Sequence, residues 1–123
     1  MQMAEGGLID AGDALIYLKA LAHESRFTIL TSLYDEPKTF QDLKEETGLA
    51  KSALSSHLSK LMKAELADKF QHGVYRITDD GTALLDLLQD FIDESMERRQ
   101  RLHEAELRRD MAKSFLGRKT TRP

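Results

Sequence analysis

Cysteine is absent from this chain of 123 residues, and that removes disulfides, thiolate metal sites and cysteine nucleophiles together. A cysteine-free chain suits a reducing compartment, and a cytoplasmic location is expected. Proline occurs only at positions 37 and 123, so long helices meet few obstacles. Tryptophan is missing and aromatic residues make up only 7%, which leaves the core to Leu, Ile, Ala and Met. Long hydrophobic runs are also lacking. The longest unbroken one is Ala14-Leu15-Ile16-Tyr17-Leu18, far short of the roughly 20 residues that cross a bilayer. The N-terminus carries no basic flank ahead of an apolar segment, so no secretory signal and no membrane partner are expected.

An excess of one charge sign is missing too, with a formal net charge of −3. The 32% share of charged residues exceeds the usual quarter, as expected where a long solvated helix accompanies a small core. Charge is uneven along the chain. Residues 51–78 hold Lys51, Lys60, Lys63, Lys69 and Arg76 against Glu65 and Asp68, a local net charge of +3 within an acidic protein. A phosphate backbone would feel that local face rather than the total.

Periodicity divides the chain into helices and one hairpin. Residues 1–10 read as a flexible start. Asp10 or Asp13 can cap a first helix to about Ala22, with Leu15, Leu18 and Ala22 on one face. Ser25 is the expected cap of a second helix built on Phe27, Leu30 and Leu33, ended by Asp35-Glu36-Pro37. Thr39 and Asp42 have the spacing of a capping box, opening a short helix with Leu43 as its core residue and Gly48 as its left-handed stop. The next helix runs from about Lys51 to Ala64, with Leu54, Leu58 and Leu61 as an i, i+4, i+7 stripe. Two short β-compatible segments, Leu66–Gln71 and Val74–Thr78, flank a His72-Gly73 turn and read as a two-stranded hairpin.

Thr78-Asp79-Asp80 then opens a last helix to about Leu116. Leu84, Leu88, Phe91, Ser95, Arg98, Leu102, Ala105, Arg109, Ala112 and Leu116 follow a 4-3 spacing, and seven of these ten are apolar. A single domain of this size cannot cover such a helix, so a second copy is the expected partner. Leu88, Phe91, Ile92, Met96 and Leu102 are the expected dimer interface, with help from the first helix. The polar run Glu97–Arg101 is the place where the helix could break in two. Residues 117–123 read as a flexible tail.

Helix, helix, helix, turn, helix, hairpin is the order of a winged helix-turn-helix. The fold expected is mainly α with a small β-hairpin, divided into a winged-helix domain over 11–80 and a C-terminal dimerisation helix over 81–116. The opening Leu18–Leu30, with Ala22-His23-Glu24-Ser25-Arg26 at its centre, resembles that of ArsR-type regulators. Thr39–Leu43 with Thr47-Gly48-Leu49 is similar to their first DNA-motif helix and turn. Ser52-Ala53-Leu54-Ser55-Ser56-His57-Leu58 is similar to their recognition helix, and Asp79-Asp80-Gly81 resembles the exit from their wing. The length and the long last helix also resemble archaeal winged-helix regulators of the Lrs14 type. The sequence departs from the ArsR pattern at Glu65, where Gly often follows the recognition helix, and at Ala50, where Ser often caps it.

The resemblance implies sequence-selective binding of double-stranded DNA by a homodimeric transcription regulator, with repression the expected effect. With the three leucines buried, Ser52, Ser55, Ser56 and Ser59 fall on the opposite side, where small hydroxyls let a helix approach the major groove closely. Lys51, Lys60 and Lys63 add attraction for phosphate, and the wing offers Lys69, Gln71, His72 and Arg76 to the backbone or minor groove. Each residue also has a plainer reading. The serines and lysines can be an ordinary solvated face, His57 can pack between helices rather than touch DNA, and Arg76 can pair with Asp68. An adaptor that binds proteins and no nucleic acid is the alternative function.

The resemblance also implies a test for metal. The family's thiolate site is excluded without cysteine. Its other site joins an Asp-x-His pair to a His-x-x-Glu pair on the last helix. His103 and Glu106 match the second half, but no Asp-x-His precedes them, so a metal-responsive repressor is a weak alternative and no cofactor is expected. Catalysis has little to build on: Ser56 and His57 are adjacent on a helix, so their side chains diverge by about 100° and cannot act as a nucleophile–base pair. No enzyme activity is expected. No effector site is legible.

Overall fold

The computed structural model describes residues 7–120, with side chains to Leu116, in the order α1 (Ala11–Leu21), α2 (Glu24–Asp35), β1 (Lys38–Thr39), α3 (Phe40–Thr47), α4 (Lys51–Lys63), β2 (Ala67–Phe70), β3 (Val74–Ile77) and α5 (Asp79–Thr120). It falls into two compact units, one up to Leu85 and one from Asp86. The outermost parts of the two expected flexible termini, 1–6 and 121–123, lie outside the described residues.

The first unit is organised by its caps. The Asp10 carboxylate accepts from the Gly12 and Asp13 amides and starts α1. Thr39 and Asp42 exchange both bonds of the expected capping box at 3.1 Å each, which fixes the start of α3. Gly48 stops α3 with φ +68°, and its amide donates to the Lys44 carbonyl. Ser25 does not cap α2. His23, with extended backbone, takes that place, and its ring Nδ1 accepts from the Ser25 amide at 3.1 Å. An imidazole nitrogen serves here as the acceptor that a hydroxyl usually supplies.

The core of this unit gathers Ile29, Leu30 and Leu33 of α2, Leu43 of α3, Leu54, Leu58 and Leu61 of α4, and Leu66, each no more than 1% exposed. Phe27 is not part of it. The buried face of α2 runs through Arg26, Ile29, Leu30 and Leu33, and Phe27 lies on the exposed side. In α1 only Ala20 is buried, while Leu15, Ile16 and Leu18 are exposed.

The wing has one strand more than the sequence predicts. β3 pairs antiparallel with β2, with Lys69 opposite Tyr75, and on its other edge with the two-residue β1, with Lys38 opposite Tyr75. The sheet order is therefore β1-β3-β2. Two residues carry no alternation of their own, so β1 had no periodic signal to show. Lys38 is further held by an ion pair of 2.6 Å to Glu46, whose other oxygen accepts from the Ser32 hydroxyl. These bonds hold the Glu46 carboxyl below the usual carboxylate range and raise Lys38, chiefly through their mutual hydrogen bond. The hairpin turns at His72 and Gly73, both at positive φ (53° and 74°), and the Val74 amide returns to the Gln71 carbonyl at 3.1 Å. Two consecutive left-handed residues give the twist that a tight hairpin needs.

α5 is one helix of 42 residues, unbroken at 97–101 and carried past Leu116 to Thr120. The run Glu97–Arg101 can stay helical because its charges pair along the helix. Arg98 meets Glu94 and Arg101 meets Glu97, each at 3.8 Å and i,i+4. Among the described residues, no helix is long and apolar enough to cross a membrane.

Candidate nucleic-acid interface

α4 has two sides with different chemistry. Leu54, Leu58 and Leu61 are at most 1% exposed, and Ser52, Ser55, Ser56, Ser59, Lys51, Lys60 and Lys63 are all exposed. At 3.6 residues per turn the leucine stripe forces this partition, because residues two positions away fall on the far side. Its start lacks a side-chain cap: Ala50 occupies the N-cap, and its carbonyl accepts from the Leu54 amide at 3.0 Å. The other N-terminal amides of α4 lie beside exposed Lys51 and Ser52, a combination that favours an anion such as phosphate.

The helix leaves α4 through Glu65, which sits at φ +58°. The departure from Gly at this position therefore has a backbone cost, because a side chain in the left-handed region is strained. The exit is pinned in compensation. Thr78 donates its hydroxyl to the Glu65 carbonyl at 2.7 Å, accepts from the Gly81 amide at 3.0 Å, and gives its own amide to the Leu66 carbonyl at 3.0 Å. One threonine thus ties the end of α4, the edge of the wing and the start of α5. Gly81 must be glycine here: a Cβ would lie 2.3 Å from the Leu66 carbonyl oxygen.

On the wing, Lys69, Gln71 and His72 are exposed. Arg76 is exposed too but already engaged. Its Nε donates to Asp68 at 2.8 Å, and its guanidinium lies 4.4 Å from the centre of the Phe70 ring. A cross-strand pair of opposite charge is the natural outcome where β2 and β3 place Asp68 and Arg76 side by side. Arg76 thus makes the pairing with Asp68 that was one of its two readings in the sequence, and its charge is offset locally.

For His57 the sequence left DNA contact and helix packing open, and the structure shows the packing contacts. His57 directly precedes Leu58 and follows Leu54 by three residues, which brings it to the rim of the buried stripe. Its Nδ1 lies 3.3 Å from Arg26 Nη1, and its ring is centred 4.4 Å from that of His23. Arginine can only donate, so Nδ1 accepts and His57 carries its proton on Nε2. Burial lowers its pKa first, and the charges of His23, Arg26 and Lys60 lower it further. His57 joins α4 to α2 and is not among the exposed residues of the outer face.

Arg26 is the residue that sequence reasoning passed over. It is 9% exposed and donates from Nε to the Ala20 carbonyl at 2.7 Å and from Nη2 to the Lys19 carbonyl at 3.1 Å. The signal was present: Arg26 precedes Ile29, Leu30 and Leu33 by three, four and seven residues, which is the core face of α2.

On α5, Phe91, Ile92, Met96 and Leu102 are exposed, and Leu88 is half-buried. His103 and Glu106 stand exposed on the same helix. Among the described residues of the single chain, no group of three or more His, Cys, Asp or Glu side chains could hold a metal ion.

Residues 23–69 match the family described as "Bacterial regulatory protein, arsR family". The nodulation protein NolR of Rhizobium meliloti is 44% identical over 57 residues, 46% of this chain and 47% of that protein. The chain thus spans about half the length of this curated relative. Among solved structures, NolR from Sinorhizobium fredii is 29% identical with a TM-score of 0.61, over 74% of this chain and 95% of the other. Mb0332 from Mycobacterium bovis, described as a homodimeric winged helix-turn-helix DNA-binding domain and a possible ArsR-family transcriptional regulator, is 30% identical with a TM-score of 0.58, over 78% and 95%. The resemblance to ArsR-type regulators, rather than to the Lrs14 type, is the one these relatives carry, and the chain belongs to the ArsR family of bacterial regulatory proteins.

Proposed function

We propose that the chain is a cytoplasmic transcription regulator that binds double-stranded DNA as a homodimer, with α4 in the major groove and the β2–β3 wing on the backbone or minor groove. The observation that carries this is the two-sided α4: three leucines sealed inward, four serines and three lysines outward. Lys51, Lys60, Lys63 and Lys69 supply attraction to phosphate, which is independent of sequence. Ser52, Ser55, Ser56 and Ser59 are small enough for close approach and can both donate and accept at base edges, so they supply the selectivity. Gln71 and His72 at the wing tip reach the flanking backbone. Arg76 contributes by fixing the wing through Asp68, and His57 by fixing α4 against α2.

The dimer forms through the exposed Phe91, Ile92, Met96 and Leu102 of α5 with the half-buried Leu88, and the exposed Leu15 and Leu18 of α1 are available to extend it. A twofold pair of recognition helices suits successive major grooves, about 34 Å apart. The DNA affinity of the full chain, measured by fluorescence anisotropy over a range of KCl concentrations, should fall with a log–log slope of about −5 to −8. A flat response contradicts the proposal, and no binding even at low salt favours the protein-interaction adaptor.

A further inference from the structure

Between α1 and α4, within the first unit, lies an open cleft of about 360 Å³, lined by Lys19, Arg26, Lys60 and Lys63 together with Ile16 and Ala64 among others. That volume is at the small end of the range for small-molecule sites, roughly 300–1,000 Å³. Four of the lining side chains are cationic and none is acidic. Among the described residues, none of the four is ion-paired with a carboxylate.

Arg26 makes this arrangement unusual. It is 9% exposed, and its partners are the Ala20 and Lys19 carbonyls and His57, all without formal charge. The two carbonyls belong to the C-terminal turn of α1, whose dipole amounts to about half a negative charge. That offsets part of a full positive charge in a half-dry site and leaves the rest. A buried charge without an opposite partner is costly, and among the described residues no carboxylate pairs with Arg26. Of its five N–H donors three are engaged, so two remain.

We propose that this cleft binds a small organic anion, with its carboxylate among Arg26, Lys19, Lys60 and Lys63 and a short apolar body against Ile16 and Ala64. The carboxylate completes the charge balance that the chain leaves open, and the apolar lining favours a ligand larger than a bare anion. A regulatory consequence follows that rests on the DNA-binding reading above. Lys60 and Lys63 belong both to the cleft and to the outer side of α4. An anion held there neutralises attraction that would otherwise go to phosphate, so occupancy weakens DNA binding.

The test uses the full chain, isotope-labelled, without DNA, titrated with hexanoate, acetate, inorganic phosphate and hexylammonium while amide shifts are followed. Hexanoate should give saturable shifts at residues 16–20, 26 and 60–64, with half-saturation in the millimolar range or tighter. Acetate and phosphate should bind about fivefold or more weakly, because they lack the apolar body, and hexylammonium should leave these residues unmoved. Lys19→Ala and Lys63→Glu should each raise the hexanoate half-saturation at least about two- to fivefold, and neither touches the core.

Equal shifts from hexylammonium, tighter binding of phosphate than of hexanoate, or titrations unchanged in both variants would overturn the site. In a DNA-bound arm, saturating hexanoate should lower the affinity of the wild-type chain, and in Lys19→Ala the hexanoate concentration that gives half of this effect should rise by the same factor of about two to five. Hexanoate binding without any change in DNA affinity overturns the regulatory consequence alone. If the chain binds no DNA at all, the function proposed above fails, while the titration still decides the cleft.

Discussion

Leu54 is fully buried and Ser55, the next residue, is exposed. That single step is the unit from which the interface is built, and the roles of the exposed residues separate by chemistry. A lysine attracts phosphate whatever the base sequence, whereas a serine hydroxyl acts at base edges. Lys51→Ala should therefore weaken binding to every duplex by a similar factor and reduce the salt slope of the dimer by about 2, one contact from each protomer, while Ser55→Ala should change the ranking among duplexes. A panel of duplexes titrated with both variants checks this, and identical profiles for the two would contradict the division. The serine side was legible because Leu54, Leu58 and Leu61 dictate it. For His57 and Arg76 both readings were legible but the choice between them was not, because each depends on a neighbour from another element: Arg26 reaches across from α2, and Asp68 is brought opposite Arg76 by strand register.

At the scale of elements, the joins are more constrained than the helices. α4 leaves through a left-handed Glu65, and the first turn of α5 holds a glycine, Gly81, with no room for a side chain. Glu65→Gly should leave stability unchanged or raise it by about 1 kcal/mol, since relief of the left-handed strain is offset by the greater freedom of glycine in the unfolded chain. Gly81→Ala should cost about 1–3 kcal/mol, because the added methyl meets the Leu66 carbonyl and Ile77. Chemical denaturation of both variants reads these values, and a loss of more than 1 kcal/mol in Glu65→Gly or none in Gly81→Ala would contradict them. Helix existence was legible throughout from caps and apolar spacing. β1 was not, since two residues have no period, and the cap of α2 was misplaced by two residues because His23 does the work of a hydroxyl.

For the whole molecule the question is what covers α5. Phe91, Ile92, Met96 and Leu102 are between 47% and 65% exposed on a single chain. A row of this kind on one helix is the usual mark of an association surface. Phe91→Glu should convert the dimer to monomers in sedimentation velocity at micromolar concentration, and a persistent dimer would move the interface elsewhere. Phe91 is 58% exposed on the single chain, so the variant removes no buried core contact and should remain folded. The continuity of α5 was undecided in the sequence, because a polar run such as Glu97–Arg101 reads equally as a break or as a solvated stretch.

The central claim is that the outward side of α4 meets the DNA. The most direct measurement is the map of amide chemical-shift changes when the full chain is titrated with duplex DNA at low salt. The largest changes should fall at Lys51, Ser52, Ser55, Ser56, Ser59 and Lys60, with a second group at Lys69, Gln71 and His72. Changes confined to α5, or a uniform drift with no cluster on α4, would contradict it.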